Sequence, residues 1–71
     1  MSLKKIQELR LKKGLKQEQL ANLVGISRKS LSHYETGRVI PPLPVAIKIA
    51  KALGTTVEEL FDDYHTPLAR R

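Results

Sequence analysis

The chain has 71 residues, 41% of them hydrophobic, with one Phe, two Tyr and neither Trp nor Cys, and a chain this short buries only about 60% of its unfolded surface, which excludes two independent cores. Without cysteine there is no disulfide or thiolate metal site, so stability must come from packing Leu, Ile, Val and Ala, a composition that suits helices better than a sheet. Thirteen Lys and Arg against seven Asp and Glu give +6, and because Glu58, Glu59, Asp62 and Asp63 cluster near the end, residues 1–57 hold eleven basic residues and three acids, a balance suited to a polyanionic partner or else to a solvated basic surface.

The first helix is expected from about Leu3 to Lys13, with Leu3, Ile6 and Leu9 at helical spacing and Gly14 as its stop. The second runs from about Gln17 to Val24, burying Leu20, Ala21 and Val24, and Gly25 ends it where the chain needs a positive φ. The third takes Ser27 as N-cap, carries Leu31 and Tyr34 inward and closes at Gly37. Val39-Ile40-Pro41-Pro42-Leu43-Pro44 is a stiff connector, because consecutive prolines remove donors and push their predecessors toward extended conformations. Its two apolar residues, Val39 and Ile40, either pack under the loop or form a partner surface. Pro44 suits the first turn of a fourth helix reaching about Leu53, with Ala46, Ile47, Ile49, Ala50 and Leu53 available for burial. Thr56-Val57-Glu58-Glu59 is a capping box that opens a short fifth helix through about Phe61 or Asp62, with Val57, Leu60 and Phe61 as its apolar stripe.

Gln17 to Thr36 forms a unit: a helix, a turn centred on Gly25 and a second helix, with the small Ala21 at the crossing and Leu20, Val24, Ile26, Leu31 and Tyr34 around it. Two helices that meet steeply need a small crossing residue, a turn that tolerates positive φ and flanking apolar side chains to hold them together. This is the helix-turn-helix pattern. From Ile6 to Phe61 the chain resembles the Cro and phage-repressor type of helix-turn-helix DNA-binding domain, through Ile6, Leu9, Gln17, Leu20, Ala21, Gly25, Ser27, Leu31, Glu35, Gly37, Leu43, the segment Lys48-Ile49-Ala50-Lys51-Ala52-Leu53-Gly54, and Val57-Glu58-Glu59-Leu60-Phe61. The resemblance implies an all-α, lambda-repressor-like bundle of five helices; residues 1–63 are expected to form the DNA-binding domain, and 64–71, which have no readable period, a short frayed tail. It also implies that the third helix, about residues 28–35, lies in the major groove of double-stranded DNA.

The residues point the same way. With Leu31 and Tyr34 turned inward, Arg28, Lys29, Ser32 and His33 stand on the other side and are the candidate base contacts. Arg28 and Lys29 sit in a first turn, where a cation opposes the helix dipole at up to about 0.3–1 kcal/mol each, a placement that a phosphate-lined groove offsets. Arg can grip guanine O6 and N7 with two hydrogen bonds. Candidate backbone contacts are Gln17 and Lys16 at the start of the second helix, Ser27 and Ser30 at the start of the third, and Arg38 just past Gly37. In similar proteins the acid matching Glu35 pairs with an Arg of the first helix, so an ion pair between Arg10 and Glu35 is expected. Lys16 and Pro42 depart from the family, standing where a Ser or Thr cap usually opens the second and fourth helices.

The resemblance implies a sequence-specific transcriptional regulator, a repressor, acting on a palindromic operator as a homodimer, because one such domain makes too few base contacts for useful specificity. The expected dimer surface is Pro44, Val57, Leu60, Phe61 and Tyr64. The alternative is a protein-interaction module, such as the antitoxin of a toxin-antitoxin pair, with DNA binding secondary. An enzyme is not expected, since His33 and His65 are far apart and no nucleophile-base or metal-ligand spacing can be assembled; no cofactor is expected either. No apolar run approaches the roughly 18–20 residues that span a bilayer, so a cytoplasmic, nucleoid-associated protein with no membrane partner is expected.

Overall fold

A computed structural model describes residues 3–61 and holds five helices in that span, with no strand among the described residues. The first, α1 (Lys4–Lys12), begins after Leu3, whose carbonyl accepts from Ile6 N–H at 3.0 Å and whose side chain is fully buried. Helix α2 (Gln17–Val24) starts without a side-chain cap from Lys16, as a lysine has no acceptor to offer. Gln19 supplies the missing tie from the other side: its Oε1 accepts from Lys16 N–H at 2.8 Å. At the far end Gly25 takes φ +85°, and the N–H groups of Gly25 and Ile26 both reach the Ala21 carbonyl, at 2.8 and 3.0 Å.

Helix α3 (Arg28–Thr36) is opened by Ser27, whose Oγ accepts from Ser30 N–H at 3.0 Å. That bond satisfies one of the donors a helix start leaves unpaired, so Ser27→Ala should lower stability by about 1 kcal/mol, measurable in a urea titration as a lower midpoint at unchanged slope. The extended connector leads to α4 (Leu43–Leu53), with Pro44 in its first turn and Pro42 at its start giving no side-chain cap. Helix α5 (Val57–Leu60) is a single turn, held by Thr56 Oγ1, which accepts from Glu59 N–H at 3.1 Å.

Helix α2 packs on α3 and α4; α1 packs on α3, α4 and α5. Leu3, Ile6, Leu20, Leu31, Ile49 and Leu60 fill the centre, with Ala21 and Ala50 letting backbones approach. A fully buried Leu or Ile is worth about 1.5–3 kcal/mol, so this handful supplies much of the cohesion of a small domain. Two expectations change. Ile47 is exposed and not part of the core, because Ala46, Ile49, Ala50 and Leu53 already fill the inward face of α4. Val39 and Ile40 are also exposed, which rules out packing beneath their own loop. Residues 64–71, expected to fray, lie outside the described residues.

Two charged side chains are buried among the described residues. Arg10 and Glu35 are 7% and 4% exposed, and Arg10 Nε donates to Glu35 Oε2 at 2.8 Å while its Nη2 donates to Oε1 at 3.3 Å. Arg10 Nη1 also donates to the Leu15 carbonyl at 2.8 Å, and Gln17 Nε2 donates to Glu35 Oε1 at 3.0 Å. A single carboxylate on α3 therefore anchors α1 through Arg10 and the start of α2 through Gln17. Charges this deep are tolerated only when paired and hydrogen-bonded.

Candidate nucleic-acid interface

Helical periodicity divides α3 into two sides. Leu31, Tyr34 and Glu35 are buried; Arg28, Lys29 and Thr36 are exposed, and Ser32 and His33 are half-buried between them. Residues 28, 32 and 36 form one row and 29 and 33 the next, as spacing by four places them over successive turns. The four candidate base contacts thus share the outward side of one helix. The only acid on α3 is buried and paired, which leaves that side with no negative charge.

Thr36 extends the row, and its position eight residues after Arg28 was the signal that could have found it. Its hydroxyl, however, donates back to the Ser32 carbonyl at 3.0 Å, which commits its one proton within the helix.

The candidate backbone contacts fall at the two ends of the motif. Lys16 is exposed at the start of α2, whose first N–H groups have no carbonyl within the helix to bond. Gln17 is half-buried and turned toward Glu35. A carboxylate only accepts, so the amide must direct its NH2 group inward, which commits one of its two donors to the interior. Ser27 likewise spends its hydroxyl proton on Ser30 Oγ at 3.0 Å, leaving Ser30 with the proton to offer outward. Arg38 is exposed just past the end of α3, its backbone N–H bonded to the His33 carbonyl at 2.9 Å.

The expected dimer surface divides. Pro44 is exposed, and Val57 and Phe61 are half-buried against the core. Leu60 is 1% exposed and cannot serve as an interface residue, since closing the core between α1, α4 and α5 uses its whole side chain. Tyr64 lies outside the described residues.

A short helix with a basic and polar outer side, set on a second helix through a glycine turn, is the geometry of a groove-reading motif. A family model described as helix-turn-helix, of the Cro and phage-repressor type, matches residues 6–60. The chain belongs to this helix-turn-helix family. It is 39% identical over 57 residues to YgzD, an uncharacterized HTH-type transcriptional regulator of Bacillus subtilis, covering 80% of this chain and 86% of that protein. The transcriptional repressor RstR of the cryptic phage CTXphi, in Vibrio cholerae, is 37% identical over 62 residues, covering 87% of this chain and 56% of that protein. Among solved structures, the restriction-modification controller protein C.AhdI of Aeromonas hydrophila superposes with a TM-score of 0.77 at 39% identity, over 83% of this chain and 89% of that one. The complex of the SinR and SinI proteins superposes with a TM-score of 0.81 at 27% identity, over 92% of this chain and 64% of the other. The helix-turn-helix chain is a DNA-binding transcriptional regulator, a family that is not an enzyme class. No helix among its described residues is long and apolar enough to cross a membrane.

Proposed function

We propose that the chain is a repressor that binds a palindromic operator as a homodimer, laying α3 in the major groove of each half-site. The observation that carries this reading is the outward side of α3, where Arg28, Lys29, Ser32 and His33 gather with no acid among them. Arg28 and Lys29 reach base edges from the first turn, and Ser32 and His33 make shorter contacts further along. Lys16, Ser30 and Arg38 hold phosphates on either side and set the register, aided by the first N–H groups of α2 and by the donor Gln17 does not give to Glu35. Two copies reading half-sites about 34 Å apart, one helical turn, give the specificity that one copy lacks.

Selection of bound duplexes from a random pool tests this directly. The expected result is an inverted repeat whose half-sites are centred about one turn apart; recovery of no motif, or of a single unrepeated one, would refute the dimeric operator reading. Arg38→Ala is expected to weaken all duplexes alike and to flatten the dependence of log affinity on log salt by about one unit, the signature of one lost phosphate contact. A changed base preference in that variant would instead place Arg38 among the base-reading residues.

A further inference from the structure

The residues on either side of Lys16 are both tied to the buried pair of Arg10 and Glu35. Ahead of it, Leu15 donates its N–H to the Arg10 carbonyl at 3.0 Å and accepts from Arg10 Nη1 on its own carbonyl at 2.8 Å. Behind it, Gln17 Nε2 donates to Glu35 Oε1 at 3.0 Å. Lys16 itself spends its N–H on Gln19 Oε1 at 2.8 Å, and its carbonyl accepts from Leu20 N–H at 3.1 Å. Its backbone is therefore held on every side, while its exposed side chain forms no ion pair with another described residue. The first N–H groups of α2 lie at the same place, with no carbonyl inside the helix to bond.

Stability alone does not call for this arrangement. Apolar side chains of similar volume often fill the place of a buried ion pair as well or better. What they cannot do is fix direction. Hydrogen bonds weaken steeply away from their preferred angles, so the guanidinium of α1 and the carboxylate of α3 hold the Leu15 carbonyl and the Gln17 amide at set orientations. We infer that Arg10 and Glu35 are positioning residues for DNA binding: through Leu15 and Gln17 their pair sets the phosphate-gripping start of α2 against the base-reading side of α3. Both are buried, so they act through the groups they hold and not by touching DNA. Glu35 belongs to the inner side of the very helix whose outer side carries Arg28 and Lys29, which makes it the shortest link between the two kinds of contact. Groups that read a ligand together must be held to about 0.5 Å by the residues behind them. The inference rests on the DNA reading above and adds to it the part that keeps phosphate and base contacts in step.

Arg10→Met/Glu35→Leu tells positioning from stability, because it fills the site but makes none of these bonds. It removes one charge of each sign, so the net charge stays at +6 and long-range attraction to DNA is unaltered. At a temperature where circular dichroism shows the variant as helical as wild type, its affinity should fall about tenfold for every selected duplex, with the order of preference among them kept. Lys16→Ala supplies the second measurement. In the wild type it should flatten the dependence of log affinity on log salt by about one unit for each half-site; in the double variant, where Lys16 is already displaced, it should change slope and affinity far less. Should the double variant fail to fold, Gln17→Met cuts the tie between the carboxylate and α2 while leaving the ion pair whole. Gln17 carries no charge, so loss of its own contact leaves the salt slope as it was, whereas a displaced Lys16 flattens it, and flattening is the expected result. Wild-type affinity in the folded double variant, an equal cost of Lys16→Ala in both backgrounds, or an unchanged slope in Gln17→Met overturns the inference and leaves the DNA reading standing. A wild type that binds no duplex overturns both.

Discussion

Replacing Glu35 with Ala is expected to destabilise the domain by about 3–5 kcal/mol, the cost of leaving a buried guanidinium without its counter-charge. Arg10 is under a tenth exposed, so its head group cannot turn to water without disturbing the packing of α1 on α3. The Leu15 carbonyl would remain as an acceptor, but it carries no charge. Gln17 would lose its acceptor at the same moment, so α2 would be loosened at its start as well. Against a total stability of about 5–15 kcal/mol, with small domains at the low end, this is a large fraction. Each kcal/mol moves the midpoint of a domain of this size by about 4–8 °C, so a thermal melt should fall by well over 10 °C. A melt unchanged from wild type would show that the pair contributes nothing. The paired change Arg10→Met with Glu35→Leu separates two explanations, because filling the site with apolar side chains removes the stranded charge. It should recover most of the loss if desolvation is the cause.

Arg28→Ala should act on the opposite side of the same helix and leave the melt nearly untouched, since Arg28 is exposed and its side chain makes no ion pair with another described residue. Its expected effect is on recognition: a loss of about 1–3 kcal/mol at the preferred site, together with relaxed preference at one base pair. Relative affinities of selected duplexes would reveal both, and the contrast with Arg38→Ala is diagnostic, because a phosphate contact weakens every sequence equally. Arg28→Lys should recover some affinity but little of the preference, as an ammonium cannot reproduce two parallel hydrogen bonds. An unaltered selected motif in Arg28→Ala would remove Arg28 from the set of base-reading residues.

The parts of the fold that could be read in the sequence are those set by local chemistry. Ser27 and Thr56 marked helix starts because their oxygens reach donors three residues on, and Gly25 marked a stop because the chain there turns left-handed. The outward side of α3 was legible for the same reason, since Leu31 and Tyr34 alone fix its orientation. Where periodicity carried too little information, reading was less secure. Helix α4 has apolar residues on almost every side, so nothing local separates the exposed Ile47 from the buried Ile49. Helix α5 is one turn long, too short to sort Leu60 from Val57 and Phe61. The inward turn of Gln17 depends on a carboxylate eighteen residues later, and the approach of Arg10 to Glu35 spans twenty-five. Family likeness supplied the second of these; nothing supplied the first.

The fastenings of α3 all lie on its inner side: two apolar anchors and one carboxylate tied to two other helices. Its outer edge carries no such duty. The exposed side chains at 28 and 29 can therefore be exchanged without retuning the interior, so that, under the proposed reading, one scaffold is redirected from target to target by rewriting a few letters while every brace beneath them stays as it is.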